Sequence, residues 1–137
     1  MARSSHGAGS LPAVDARRAA RLQALGRIAL GTGLIAAPGV LGGGWVGSAA
    51  DRRPGQTLAI GLGARDLALG IGQLRTAGRR HGGAARPWIR AGIVADLGDL
   101  LGTLRARDEL SPMTVPAVAA IAGGSALLGL WLQAALD

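Results

Sequence analysis

The stretch Gly63-Ala64-Arg65-Asp66-Leu67-Ala68-Leu69-Gly70 sets a charged pair inside an otherwise apolar, glycine-rich run. Further along, a second apolar run carries Asp96 and Asp99. Ionisable side chains inside apolar helices are costly, and they are expected to face one another or a polar cavity. The two runs therefore predict a buried polar centre between two helices.

The composition favours a helical bundle in a membrane over a water-soluble core. The 137-residue chain is 49% hydrophobic and has 24 glycines, but it contains no Phe, Tyr or Cys. Soluble cores take much of their buried area from aromatic residues. In lipid, where apolar burial gives helices no reason to associate, small residues allow close packing instead. The absence of Cys also excludes disulfides, thiolate metal sites and thiol nucleophiles.

The positive charge points to a membrane rather than to nucleic acid. The net charge is +7, and all fifteen basic residues are arginine. No aromatic residues are interleaved with these arginines to stack on bases, so we expect no nucleic-acid partner. The expected partner is the lipid bilayer, with a second copy of the chain or another membrane protein left open.

Hydropathy and turn signals predict an all-α, four-helix transmembrane bundle with up-down topology. Residues 1–14 are expected to be a disordered basic tail, followed by a membrane domain over 15–137. The predicted helices lie at about 16–37, 56–76, 87–106 and 113–136. Pro38 and the glycines at 42–44 predict an irregular segment between the first two helices. The fourth helix is uncharged throughout, which makes it the best candidate for a membrane span.

The distribution of arginines predicts the orientation. Ten arginines lie before or within the first helix and around the connection between helices 2 and 3, whereas four lie in the other two connections. Because cytoplasmic segments are enriched in Arg and Lys, four spans with both termini in the cytoplasm fit this count. We therefore expect a multi-pass protein of the cell inner membrane.

Helical periodicity places the ionisable residues on facing surfaces. At 100° per residue, helix 2 has a small and polar face made of Ala59, Gly63, Asp66, Gly70 and Gln73. Helix 3 has a similar face made of Gly92, Ala95, Asp96, Asp99, Gly102 and Thr103. Arg65, Asp66 and Asp96 lie near the midpoints of their helices. If helices 2 and 3 are antiparallel neighbours, these residues meet at one depth, and Arg65 is expected to pair with Asp96.

The charges of this centre do not balance. One arginine, Arg65, faces Asp66, Asp96 and Asp99, so full ionisation would leave about −2 in a low-dielectric environment, which is costly. Either Arg27 or Arg90 reaches inward, or one or two carboxyls stay protonated, or a cation binds. The sequence leaves these alternatives open.

Two classes of function fit such a centre. In the first, the protein is not an enzyme, and the Arg/Asp centre is structural or accommodates a ligand. In the second, the protein is a small proton- or ion-coupled carrier, or a membrane enzyme that uses Asp66, Asp96 or Asp99 as acid or base. No residue beyond these three is a catalytic candidate.

No cofactor or metal is expected. The run 31–36 matches a dinucleotide-binding glycine pattern, but the strands that this motif requires are missing from the sequence pattern. We interpret its glycines as close-packing residues, with Ala29, Gly33 and Ala37 in one row. His6 and His81 lie in glycine-rich basic segments and have no second ligand at metal-binding spacing.

The motif at 63–70, together with Asp96 and Asp99, resembles a family of small bacterial four-helix membrane proteins of unknown function. That family carries a Gly-x-Arg-Asp-Leu-x-x-Gly signature in its second helix, and the resemblance extends over about 22–135. It implies a four-span fold and carries no established activity. The glycines at 42–44 depart from the family pattern and leave the first connection undefined.

Overall fold

The computed structural model describes residues 11–78 and 82–136, and these residues form five helices without any strand. The helices are α1 (Leu11–Ala36), α2 (Pro38–Val46), α3 (Arg53–Ala77), α4 (Arg86–Arg105) and α5 (Thr114–Ala135). Short 3-10 turns at Gly47–Asp51, Gly82–Ala85 and Arg107–Glu109 lie between them. The chain is therefore all-α, and its four long helices correspond to the four expected ones.

The helix α2 replaces the irregular segment that was expected after Pro38. Proline has no backbone N–H and its φ suits a first helical turn, so Pro38 begins a new helix instead of only ending the old one. The chain turns by 107° at this break. Gly47, with φ of 58°, ends α2 in a conformation that favours glycine.

The start of α1 also differs from the expectation. The helix begins at Leu11, so residues 11–14 are helical rather than part of a disordered tail. Pro12 falls in the first turn, where proline is tolerated. The remainder of the predicted tail, residues 1–10, lies outside the described residues, as does His81.

Helices α1 and α3 pack backbone against backbone. A Cβ atom on Gly63 would lie 2.7 Å from the carbonyl oxygen of Gly31, and one on Gly70 would lie 2.7 Å from that of Ala24. Only glycine allows so close an approach. The contact with α3 therefore runs through Gly31, whereas Gly33 of the expected row packs against the side chain of Leu41 in α2. Ala29 of the expected row is exposed.

One end of the bundle has a closely packed core of small and aliphatic side chains. Its members come from α1, α3, α4 and α5 and include Ala16, Ala20, Ala77, Ala85, Ile89, Leu132 and Leu136. At the other end α2 lies across the bundle, and α5 changes its winding. Residues Ala119–Gly123 of α5 form a π-helical turn, which adds one residue to the turn and shifts the phase of the following side chains.

The bundle exposes many large apolar side chains and buries several polar ones beside its apolar core. Large apolar side chains lie outside, with Leu58 70%, Val94 71% and Leu127 69% exposed. Charged and amide side chains lie inside, among them Arg27, Asp66, Gln73 and Asp96. By length and hydropathy, α5 is the only described helix that could cross a membrane alone, and α1 with α2 would qualify as one bent span.

Candidate functional site

The centre of the bundle is a guanidinium group held between two carboxylates. Arg27 of α1 donates from Nη1 to Oδ1 of Asp66 at 3.1 Å and from Nη2 to Oδ2 of Asp96 at 2.5 Å. These side chains are deeply buried, since Arg27 is 7%, Asp66 4% and Asp96 5% exposed. One cation from α1 thus joins carboxylates of α3 and α4, and charge-assisted bonds of this kind are strong.

A second arginine forms a separate, bidentate pair. Arg65 donates from Nη1 to Oδ1 of Asp99 at 2.8 Å and from Nη2 to Oδ2 at 2.6 Å. A longer bond of 3.4 Å links its Nη2 to Oδ1 of Asp66. Both carboxylate oxygens of Asp99 are therefore used by Arg65. This pair is partly buried, whereas the Arg27 group is buried almost completely.

A small residue on α4 makes room for the inner arginine. A Cβ atom on Gly92 would lie 2.9 Å from Nη2 of Arg27, so any side chain there would have to displace the guanidinium group. Helical periodicity placed Gly92 on the same face as Asp96, and the structure buries both. The face expected on α3 is likewise buried at Ala59, Gly63, Asp66, Gly70 and Gln73.

Uncharged polar side chains extend the centre towards the packed end. Ser125 of α5 accepts from Nη2 of Arg27 at 3.2 Å and from Nε2 of Gln23 at 3.2 Å. Gln23 in turn accepts from Nε2 of Gln73 at 2.9 Å, and Gln73 also donates to the carbonyl of Ala20. These bonds link α1, α3 and α5, and Asp96 adds α4 through its bond to Arg27. All four long helices therefore contribute to one polar network.

A cavity of about 530 Å³ reaches this centre, and we call it the chamber. Arg27, Asp66, Asp96 and Asp99 form part of its wall, with Gln23 and Ser125 beside them. Most of the remaining wall is apolar and comes from α1, α2 and α5, namely Leu30, Leu34, Leu41, Val118, Ile121 and Ala122. Ligand sites in proteins have this size and this combination of apolar walls with a few polar groups.

A second cavity of about 330 Å³, the outer cavity, lies between α2, α3 and α4. Leu34, Trp45 and Asp99 line both cavities and therefore stand between them. Nε1 of Trp45 donates to Oγ1 of Thr103 at 2.9 Å, and this hydroxyl donates to the backbone carbonyl of Asp99 at 2.8 Å. Helix α2 is thus attached to α4 next to the ion pairs.

The structure brings the four sequence-predicted site residues together but pairs them differently. Arg65 pairs with Asp99 rather than with Asp96, and Asp96 pairs with Arg27. The centre consequently lies among α1, α3 and α4 and not only between helices 2 and 3. Of the two arginines considered for the inward position, Arg27 occupies it, while Arg90 bonds to Gln133 at an exposed position.

Sequence reasoning missed two uncharged polar residues of the centre, Gln23 of α1 and Ser125 of α5. Gln23 lies one turn before Arg27 in an otherwise apolar segment, and this spacing was a usable signal. No sequence signal pointed to Ser125, because the orientation of its side chain depends on the π-helical turn at 119–123. With two arginines and three aspartates in the centre, full ionisation leaves −1 rather than −2.

Comparison of the chain with protein-family models, with curated proteins and with solved structures finds no match. The resemblance to four-helix membrane proteins carried by residues 63–70 therefore remains a prediction. The function of the chain has to be inferred from the geometry of the centre and of the chamber.

Proposed function

We propose that the protein is a multi-pass membrane protein that binds a small molecule in the chamber at its Arg/Asp centre. The observation that carries this proposal is the contact between the 530 Å³ chamber and the buried ion pairs. Water weakens the attraction within an ion pair because it raises the local dielectric constant, so a purely structural pair has no need of a cavity beside it. Here the chamber leaves one side of the centre open instead.

The membrane part of the proposal is supported by the apolar side chains on the outside of the bundle. Large leucine, isoleucine and valine side chains are exposed on α1, α3, α4 and α5, and exposed apolar patches mark surfaces that contact a membrane or a partner. Four spans would place nine arginines at the cytoplasmic end and four at the other, once Arg27 is assigned to the centre. Both termini are then cytoplasmic.

Binding is favoured over acid or base catalysis. Asp66 and Asp96 each accept a hydrogen bond from Arg27, and Asp99 accepts two from Arg65. A general base must be free to reach the proton that it abstracts, whereas the guanidinium groups hold these carboxylates in place. The aspartates are better suited to hold a ligand than to exchange protons with it.

The membrane assignment is tested by extraction and by reporter fusions. We expect the protein to stay in the membrane fraction after alkaline carbonate treatment, and reporters fused to either terminus to be active only in the cytoplasm. Release by carbonate would exclude an integral membrane protein. A periplasmic C-terminus would exclude the four-span topology.

The chamber is tested by cysteine labelling, for which this cysteine-free chain is well suited. Ala122 and Ala126 lie one turn apart on α5 and are both buried, but only Ala122 lines the chamber. We expect Ala122→Cys in detergent to react with methyl methanethiosulfonate at least about tenfold faster than Ala126→Cys, because a reagent can enter the chamber. Equal rates would contradict a chamber that admits small molecules.

A second variant blocks the chamber. Gly26 lines it, and its missing Cβ would meet no atom within 4 Å. Leucine at this position fills part of the chamber, so Gly26→Leu should slow the labelling of Ala122→Cys. The control is Gly61→Leu, which has the same open space but lies outside the chamber wall. This control should leave the labelling rate unchanged.

A further inference from the structure

The two ion-pair groups of the centre differ in how completely they are paired. Arg65 and Asp99 form a bidentate pair in which both carboxylate oxygens are used, and this pair is neutral when ionised. Arg27 is shared between Asp66 and Asp96, so this group carries −1 when ionised. The uncompensated charge of the whole centre therefore belongs to the Arg27 group.

The Arg27 group also has acceptors that are not used. Arg27 binds only Oδ1 of Asp66 and only Oδ2 of Asp96. Among the described residues, no donor reaches the second oxygen of either carboxylate, although Arg65 adds a long bond to the same Oδ1 of Asp66. Asp66 and Asp96 both lie on the chamber wall. The chamber thus offers two carboxylate oxygens and an excess of one negative charge.

The opening of the chamber is apolar. Three large apolar residues of its wall are also well exposed, namely Leu30 at 41%, Leu41 at 43% and Ile121 at 67%. They belong to α1, α2 and α5, so the chamber opens sideways between these three helices. In the proposed membrane orientation this opening faces lipid, and molecules that enter through it must themselves partition into an apolar phase.

We infer that the chamber binds an amphiphilic organic monocation, with its ammonium group against Asp66 and Asp96 and its apolar body towards the opening between α1, α2 and α5. The inference rests on the proposed function and names the class of ligand for the same chamber. An ammonium group supplies one positive charge and up to three hydrogen-bond donors, which match the excess charge and the free oxygens. A metal ion fits less well, because no group of three acidic or histidine side chains among the described residues forms a metal-binding set.

The sign of the charge is tested by comparing two thiol reagents on Ala122→Cys. The cationic reagent is 2-aminoethyl methanethiosulfonate, and the anionic one is 2-sulfonatoethyl methanethiosulfonate. Each forms a mixed disulfide with the thiolate and releases methanesulfinate. The ratio of the two rates, divided by the same ratio for free 2-mercaptoethanol, therefore removes the intrinsic reactivities of the thiol and of the two reagents. An uncompensated charge in a partly enclosed site should favour the cation by at least about tenfold. A ratio near one, or preference for the anion, would overturn the inference.

The same ratio in neutralised variants identifies the responsible residues. Asp96→Asn or Asp66→Asn removes the excess charge, and the preference for the cationic reagent should fall towards one in either variant. The matched control is Asp51→Asn, which changes the protein charge equally at an exposed position away from the chamber. An equal loss of preference in this control would assign the effect to surface charge and overturn the inference. If neither chamber variant folds, the ratio in Ala122→Cys alone still decides the sign.

The ligand class is tested by protection against the uncharged reagent methyl methanethiosulfonate. We expect n-hexylammonium to slow the labelling of Ala122→Cys at a concentration at least about tenfold below that of 1-hexanol, which has the same chain without the charge. Equal protection by the two would overturn the inference and leave the chamber intact as a binding site. If methyl methanethiosulfonate itself fails to label Ala122→Cys faster than Ala126→Cys, the proposed function fails before this comparison is reached.

Discussion

Helix α1 contacts α3 and α5 in opposite ways. Against α3 it packs through glycines, with Gly31 and Gly63 so close that neither position has room for a Cβ atom. Against α5 it is linked by hydrogen bonds from Gln23 and Arg27 to Ser125, and beyond Ser125 the chamber lies between the two helices. We call these contacts the glycine seam and the polar seam.

The difference shows that residue size determines whether two helices of this bundle pack closely or leave a cavity between them. Small residues on both helices let the glycine seam close, which gives stability without large side chains. The polar seam contains a long arginine that must reach α3 and α4, so α5 cannot close over it. The seam that contains the charges is thus also the one that leaves space for a ligand.

The largest effect is expected from removing the arginine that joins both seams. Arg27→Met leaves Asp66 and Asp96 buried without their counter-charge, and breaking a buried pair in this way typically costs about 3–5 kcal/mol. Thermal unfolding in detergent measures the loss. The variant Arg90→Met is the control, because Arg90 lies at an exposed position and its loss should change stability little.

Double-mutant cycles then separate the two ion-pair groups. Arg27 with Asp96, and Arg65 with Asp99, should each show coupling in the range of about 0.5–3 kcal/mol. Arg65 and Asp96 share no direct bond and are connected only through Asp66 and Arg27, so their coupling should be smaller than that of either bonded pair. Strong coupling between Arg65 and Asp96 would instead support the pairing that the sequence alone suggested.

The second-largest loss of stability is expected at the glycine seam. In Gly63→Ala the new Cβ would lie 2.7 Å from a backbone oxygen, and backbone can yield only if the helices separate. Overpacking of this kind costs about 1–3 kcal/mol. Gly61→Ala, two residues away on α3, meets open space. Alanine is the better helix former, so this control should be neutral or more stable by up to about 1 kcal/mol. If both variants unfold at the same temperature, the seam is not closed as described.

How much of this could be read from the sequence depends on the range of the interactions. The faces of α3 and α4 follow from a helical period of 3.6 residues, which is a local property, and the structure buries the predicted residues Asp66 and Asp96. Which helix packs against each face is not determined by the local sequence. The sequence predicted α3 and α4 to be antiparallel neighbours, but α3 packs chiefly against α1. Which residue pairs with Asp96 was therefore beyond the reach of periodicity.

The segment after Pro38 shows a second limit. Proline and three nearby glycines lower helix propensity, and an irregular chain was the expected result. Tertiary contacts override this preference, because Gly42 packs against Ala50 and Ala59, and Trp45 bonds to Thr103. The chamber depends on α2 for part of its wall, so its existence could not be predicted either.

A smaller effect is expected at the polar seam. Ser125→Ala removes one hydroxyl that accepts from Gln23 and Arg27, while the backbone carbonyl of Ser125 keeps its bond to Gln23 at 2.9 Å. The loss should be about 1 kcal/mol of unfolding free energy. Ser48→Ala, at an exposed position, is the control. If the polar seam is held as proposed, hydrogen exchange should increase in α5 and not in α3.

The smallest effect is expected at the end of α2, where Trp45 separates the two cavities. Trp45→Phe keeps an aromatic ring but removes the donor to Thr103. The loss of this neutral bond should cost about 0.5 kcal/mol of unfolding free energy, the lower end of the usual range. Because this bond attaches α2 to α4 and does not involve the ion pairs, the change should be local. We expect faster hydrogen exchange in Pro38–Val46 and faster labelling of Ala122→Cys, with little change in α1 or α3.

Thr103→Val removes the acceptor of the same bond and should reproduce both changes. The double variant should add little to either change. A uniform increase in exchange over all helices would instead show that α2 is part of the same cooperative unit as the glycine seam.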